Sequence, residues 1–164
     1  MLVHRAAGGV GHLAVQIAKA RGAHVSGTAR AAKHEFLRGL GADHLIDYTA
    51  EDFVASAGPV DVVLNLLGGE HGERSAAALR PDGLLIAAIG GNPGITAQRA
   101  AELGIRLQVV SVRPLARDLT ELASLVEAGR LRVHVDQIVP LAEAAKAHEL
   151  GQTGRTTGKI VLVP

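Results

Sequence analysis

Cysteine is missing from the chain, which excludes disulfides, a Cys-ligated zinc, an iron–sulfur cluster and a thiol nucleophile within these 164 residues. Tryptophan is missing as well, and Phe36, Tyr48 and Phe53 bring the aromatic content to only 2%. That is too little to build stacking platforms for single-stranded nucleic acid. Neither sign of charge dominates: 17 Lys and Arg face 16 Asp and Glu, a formal net charge of +1. A general polyanion-binding surface is thereby excluded, and a local basic pocket is not. No apolar run approaches the roughly 18 residues of a membrane span, and Met1 leads into no signal peptide. The eight histidines are scattered without H-E-x-x-H or comparable spacing, so no metal site is expected. Ser26, Ser56, Ser75, Ser111 and Ser124 lack the context of a nucleophile elbow, so a hydrolase triad has no support. The expectation is a soluble cytoplasmic domain that binds neither nucleic acid nor membrane.

What is present is order. Apolar residues make up 48% and charged residues 20%, as in an ordinary globular chain. Leu2-Val3-His4 is a short apolar stretch that runs into the turn Ala6-Ala7-Gly8-Gly9-Val10-Gly11. Val10, Leu13, Ala14, Ile17 and Ala18 then recur at helical spacing, with Lys19 and Arg21 in the last turn and Gly22 to stop the helix. The alternation continues with a strand over 23–28, a helix over 33–40, a strand over 44–46 and a brief helix over 51–56. A strand at 60–65, weak helicity at 69–79, a strand at 83–89, a helix at 96–103 and a strand at 106–112 follow. The nearly continuous apolar run at 83–89 suits a strand buried on both faces of a parallel sheet. Six strand–helix alternations predict an α/β fold, a doubly wound six-stranded parallel Rossmann sheet. Beyond it come a helix through Leu119, Leu122, Ala123 and Val126, an alternating stretch at 132–139, a helix at 141–150 and a closing strand at 159–163.

The glycine turn carries the most chemical information. Ala6-x-Gly8-x-x-Gly11 has the G-x-G-x-x-G spacing, with alanine first, between a strand and a helix. Gly8 lets backbone approach a pyrophosphate, Gly11 lets helix and strand come close, and the amides of Ala7, Gly8, Gly9, Val10 and Gly11 face the anion. The alternative is a tight turn whose glycines only permit positive φ. An NAD-preferring site places Asp or Glu about 20 residues past the glycines. Here Gly27-Thr28-Ala29-Arg30-Ala31-Ala32-Lys33 holds no acid. Arg30 and Lys33 suit a 2′-phosphate, as a fork and a point charge respectively, which favours NADP(H). Their alternative is to be solvated residues at a helix start. Asn65 ends an apolar strand before Gly68-Gly69 and is a candidate to face the cofactor, or simply to terminate the strand. Gly90, after the fifth strand, is a candidate for close ligand approach, or a turn residue. No catalytic acid or base stands out.

With Val3-His4 through Gly11, Leu40-Gly41-Ala42-Asp43, Ile46-Asp47-Tyr48, Gly129-Arg130-Leu131, Pro140 to Ala144 and Gly158 to Leu162, the chain resembles the medium-chain dehydrogenase/reductase superfamily. The likeness is to its quinone oxidoreductase branch and covers essentially the whole sequence. The resemblance implies that Lys33, Tyr48 and Arg155 contact the 2′-phosphate end of NADPH. It also implies that nicotinamide lies beside the segments after Asn65 and around Ala88 to Gly90. Arg5 departs from the pattern, since the family usually has Gly or Ala there; a long cation at this point either crowds the turn or reaches the pyrophosphate.

The resemblance further implies a GroES-like catalytic domain of roughly 120 residues, a common domain size, ahead of the present Met1. Residues 1–132 would then be the dinucleotide-binding domain and 133–164 a segment that packs on that catalytic domain. Val133, Val135, Ile138, Leu141, Ile160 and Leu162 would need another surface to cover them. The chain is thus expected to be a fragment, a truncated product or one half of a split enzyme. Two classes of function stand side by side: hydride transfer from NADPH to a quinone or enone in the complete enzyme, or a stand-alone NADP(H)-binding module, possible partner of a separate catalytic chain. A remnant without turnover is the third. Family resemblance also implies a homodimer through the strand edge at 106–112.

Overall fold

The computed structural model describes residues 1–88 and 92–164. Among the described residues eight strands and seven α-helices follow one another in the order that the sequence pattern predicts. The first six strands are β1 (Leu2–Val3), β2 (Ser26–Thr28), β3 (His44–Ile46), β4 (Val60–Asn65), β5 (Leu79–Ala87) and β6 (Arg106–Val109). They form one sheet in the order β3-β2-β1-β4-β5-β6, and every neighbouring pair is parallel. The chain therefore starts in the middle of the sheet, winds out to one edge, and returns to build the other half. This doubly wound arrangement leaves a crevice outside the carboxyl ends of the strands, where the strand order reverses.

Two buried clusters cover the two faces of the sheet. Consecutive residues of a strand point to opposite faces, and Leu2 and Val3, both fully buried, enter different clusters. Val3 packs with Val15 and Ala18 of α1 (Gly11–Ala20) and Leu37 of α2 (His34–Gly39). Leu2 packs with Phe53 of α3 (Phe53–Ala57), Ala76 of α4 (His71–Ala77) and Ala100 of α5 (Ala97–Glu102). Asp52 caps α3 by accepting the Val54 and Ala55 amides, and Thr96 caps α5 through the Arg99 amide.

Several boundaries differ from the sequence pattern, each for a physical reason. The second strand begins at Ser26 rather than Ala23, because the two-residue β1 offers partners only to Ser26 and Gly27 on that side. The fifth strand begins at Leu79, four residues early: Leu79 pairs with Val60, and an irregularity then shifts the register before Val62 meets Leu84. The sixth strand ends at Val109, where the pairing with Ala87 ends. A 3-10 turn at Ala31–Lys33 precedes α2.

The last part of the chain stands apart from the six-stranded sheet. After α6 (Ala116–Glu127), strand β7 (Val135–Pro140) pairs in parallel with β8 (Lys159–Val163) across α7 (Ala144–Gln152). Little covers this two-stranded sheet: Ile138 is 66% exposed and Leu141 60%, and Val133, Val135 and Leu162 are exposed too.

Two α1 side chains tie this segment to the main body. Gln16 makes both hydrogen bonds to the Arg132 backbone, donating to its carbonyl at 3.0 Å and accepting its amide at 2.9 Å. His12 Nε2 accepts the His134 amide at 3.3 Å. That leaves Nδ1 to carry the proton and donate to the Gly8 carbonyl at 2.8 Å.

Candidate functional site

The glycine turn is shaped by close contacts, which at Gly11 leave no room for a side chain. A Cβ on Gly11 would lie 2.3 Å from the Arg5 carbonyl oxygen, closer than any real Cβ contact. A Cβ on Gly9 would meet the Gly158 carbonyl at 3.2 Å and the Lys159 side chain at 3.3 Å. The Gly8 amide is spent on the Arg5 carbonyl at 2.9 Å, and the Gly158 amide closes over the turn to the Ala7 carbonyl at 2.8 Å. Among the described residues the amides of Gly9, Val10 and Gly11 have no backbone partner, and they head the ten-residue α1. An N-terminus of this kind presents free N–H groups and the positive end of a dipole.

Beside the turn, at the carboxyl ends of β1, β2 and β3, lies a cavity of about 380 Å³. Its lining includes Arg5, Arg30, Lys33, Tyr48 and Arg155, together with Ala7 and Gly8 of the turn, and no carboxylate among the described residues. Arg30 Nε donates to the Tyr48 hydroxyl at 3.1 Å. That oxygen raises the guanidinium above its ordinary value, so its charge is constant across the working pH range. Lys33 Nζ donates to the Thr157 hydroxyl. The nearby Asp47 is turned to its own surroundings: it accepts the Ala31 amide at 3.1 Å and the Thr49 amide at 2.9 Å. Hydrogen bonds from the Thr49 hydroxyl and amide, with the Ala31 amide, hold its carboxyl below the usual value.

A second cavity of similar size adjoins the first and shares Arg5, Thr28, Tyr48 and Gly154 with it. Its walls are more aromatic, with Phe53 beneath the Arg74 guanidinium, which sits 4.7 Å from the ring centre. Below it runs a chain of hydrogen bonds whose direction is fixed by its ends. The Arg5 amide donates to Thr28 Oγ1 at 3.2 Å, and the Ser75 hydroxyl donates to the His71 carbonyl. The Thr28 hydroxyl therefore gives its hydrogen to His4 Nδ1 at 3.2 Å, and His4 Nε2–H donates to Ser75 Oγ at 3.0 Å. Burial, then His71 and Arg74, push the His4 imidazole down to about 4, so it is neutral at pH 7.

Four positions expected at the 2′-phosphate, Arg30, Lys33, Tyr48 and Arg155, therefore meet on one cavity, although they come from distant parts of the chain. Ala7 and Gly8 meet them there, and Gly9, Val10 and Gly11 head α1 next to it. Asn65 is placed differently. It is fully buried at the end of β4, and its Oδ1 accepts the Leu67 and Gly68 amides at 2.9 and 3.2 Å. Strand termination is thus part of its role, yet its Nδ2 is buried with no partner among the described residues. Gly90 lies outside the described residues. Sequence reasoning missed Thr157, which reaches Lys33, and Lys159, which reaches the turn, both because the loop before β8 folds back across it. It also missed Thr28, whose hydroxyl is what fixes Arg5.

The comparisons with known proteins agree with this geometry. A family model described as zinc-binding dehydrogenase matches residues 40–162. The quinone oxidoreductase of Coxiella burnetii superposes with a TM-score of 0.92 at 38% identity, over 98% of this chain and 51% of that one. The chain belongs to the quinone oxidoreductase-like medium-chain dehydrogenases. A 2-haloacrylate reductase from a Burkholderia species is 35% identical over all of this chain and 55% of its own length. The Escherichia coli quinone oxidoreductase, solved as a complex with NADPH, has 32% identity and a TM-score of 0.86, over 99% of this chain and 56% of that one. The chain spans about half the length of the relatives it matches.

The family's name raises zinc, and the described residues do not fit it. There is no cysteine in the sequence, and among the described residues no three His, Asp or Glu side chains converge. A dinucleotide is another matter. The glycine cradle, the free amides, the cation-lined cavity and the unpartnered Asn65 Nδ2 suit a long, anionic, hydrogen-bonding ligand.

Proposed function

We propose that this chain is the NADP(H)-binding half of a quinone oxidoreductase-like enzyme that reduces a quinone or an α,β-unsaturated carbonyl. The observation that carries the reading is the cavity that joins Arg30, Lys33, Tyr48 and Arg155 without a carboxylate, beside the glycine turn. A 2′-phosphate carries up to two negative charges, and charge-assisted hydrogen bonds from guanidinium and ammonium are its natural complement. A ribose with free hydroxyls would instead call for an acid at the end of β2, where this chain has Ala29-Arg30. The α1 amides and dipole suit the diphosphate.

When bound, the coenzyme supplies the hydride. The chain's own contribution is to bind, orient and exclude water: cations hold one end of the ligand, Gly8 allows backbone approach, Gly11 lets α1 come close to the strand before it, and Asn65 Nδ2 offers a donor near the other end. No titrating side chain is assigned to the chemistry. Delivery of two electrons to a conjugated acceptor depends on placement of the reacting atoms.

The exposed apolar side chains of β7 and β8 favour a second lobe, on the same or a separate chain, as their cover. We accordingly read residues 1–132 as the cofactor domain and 133–164 as the segment that joins it to that lobe. Cytoplasmic residence and pairing of two copies at the β6 edge, where Val109 is 53% exposed, belong to the same proposal. Two assays test it. Calorimetric titration with NADPH should give binding that Lys33→Ala weakens about tenfold; unchanged affinity in the variant would remove the 2′-phosphate assignment. Following NADPH oxidation with a quinone, the 164-residue chain alone should turn over far more slowly than a two-domain relative. Equal rates would show that no second lobe is needed.

A further inference from the structure

We propose that Arg5 is a diphosphate-binding residue: its side chain lies against Gly8 of the turn, at the junction of the two cavities, and its guanidinium takes the ligand there. This inference rests on the NADP(H) reading and adds to it a contact that the glycine turn alone does not make.

Three observations support it. First, Arg5 is one of only two non-glycine residues with positive φ among the described residues, at +50°. A long side chain seldom adopts this conformation, and such positions persist where the surroundings over-determine them. Here they do. The Arg5 amide is held by Thr28 Oγ1 at 3.2 Å, its carbonyl by the Gly8 amide at 2.9 Å, and Ala6 next to it by the Thr28 carbonyl at 3.0 Å. Second, that backbone geometry directs the side chain into the site. Arg5 lines both cavities, and its Nη2 lies 4.0 Å from where a Cβ of Gly154 would stand. It is exposed although its neighbours His4 and Ala6 are buried. Third, the guanidinium is uncommitted. Among the described residues no carboxylate forms an ion pair with it, whereas five other arginines (Arg21, Arg74, Arg80, Arg99 and Arg117) are so paired.

A ligand that runs from the 2′-phosphate cavity along the turn must pass this side chain. A planar fork is suited to two oxygens of a diphosphate. The alternative, that Arg5 merely obstructs the crevice, predicts the opposite sign for its removal. The two are separated by measurement on the 164-residue chain with three probes: NADPH, NADH and adenosine 2′-monophosphate. NADPH and NADH contain the diphosphate, and the monophosphate does not.

Arg5→Gly is the main variant, because glycine accepts this φ and the fold should be kept, with a raised Tm as the check that strain was relieved. Arg5→Lys retains charge without the fork. The proposal expects Arg5→Gly to weaken NADPH and NADH by about tenfold and to leave adenosine 2′-monophosphate within about twofold, with Arg5→Lys in between. Equal loss for all three probes would make Arg5 part of the 2′-phosphate cavity and overturn the proposal. Unchanged or tighter NADPH binding by Arg5→Gly would overturn it in favour of obstruction. If the unaltered chain bound none of the three, the NADP(H) reading would fail, and with it this inference.

Discussion

Acidifying the protein should destabilise it chiefly through His4, over a window that its surroundings set, with His12, also held below its ordinary value by burial, adding in the same direction. The imidazole is 1% exposed and accepts a hydrogen from Thr28 at Nδ1, the atom that a second proton would occupy. Its native value lies near 4 against an ordinary 6.5. Between these two pH values the unfolded chain binds a proton at His4 that the folded chain refuses. Stability therefore rises with pH across the window, is fully present above about 6.5, and is lost as pH falls to about 4. A difference of this size corresponds to about 3 kcal/mol, a large share of the ~5–15 kcal/mol that keeps a domain folded. The carboxylates do not blur the result. Asp43, Asp47 and Asp52 are held below their ordinary 3.8, so their contributions fade only under more acidic conditions. Urea unfolding at several pH values between 7 and 4, for the natural chain and for His4→Asn, is the assay. His4→Asn should be less stable at pH 7 by roughly 1–3 kcal/mol, because Thr28 and Ser75 lose a partner. Its stability should fall less steeply between pH 6.5 and 4. Parallel pH profiles for the two proteins would refute the hydrogen-bond direction and the burial from which the argument starts.

Other outcomes follow from single contacts. Gly11→Ala should cost about 1–3 kcal/mol or more and abolish NADPH binding, because its methyl meets the Arg5 carbonyl; thermal unfolding with titration checks both. Gln16→Leu should free residue 132 and the segment beyond it from α1, at a cost of about 1–3 kcal/mol, and hydrogen exchange at 132–134 would report it. The exposed faces of β7, α6 and the β6 edge should make the chain self-associate. Light scattering that shows a monomer at high concentration would count against that.

How much of this was legible beforehand depended on range along the chain. The strands at 44–46 and 60–65 match their apolar runs residue for residue, and the glycine turn announces itself because its strand, spacing and helix are contiguous. The early start of β5 was illegible: Arg80-Pro81-Asp82 looks like a turn, and only the distant Val60 makes Leu79 a strand residue. At the site, Arg30 and Lys33 could be read from their position after β2. Arg155 could be reached only through family resemblance, because nothing local says that the 154–158 loop closes over Ala7. Thr157 and Lys159 were missed for the same reason. Arg5 was visible as an anomaly, but its meaning depends on a φ value and on the Thr28 hydroxyl, neither of which a pattern of residue types contains.

The claim on which most else depends is that cations around one cavity recognise a phosphate on the ribose. Titrating the chain with NADPH and with NADH under identical salt tests it most directly. The account predicts that NADPH binds at least about tenfold more tightly and that raising the salt concentration narrows the gap. Equal affinity, or a preference for NADH, would contradict it.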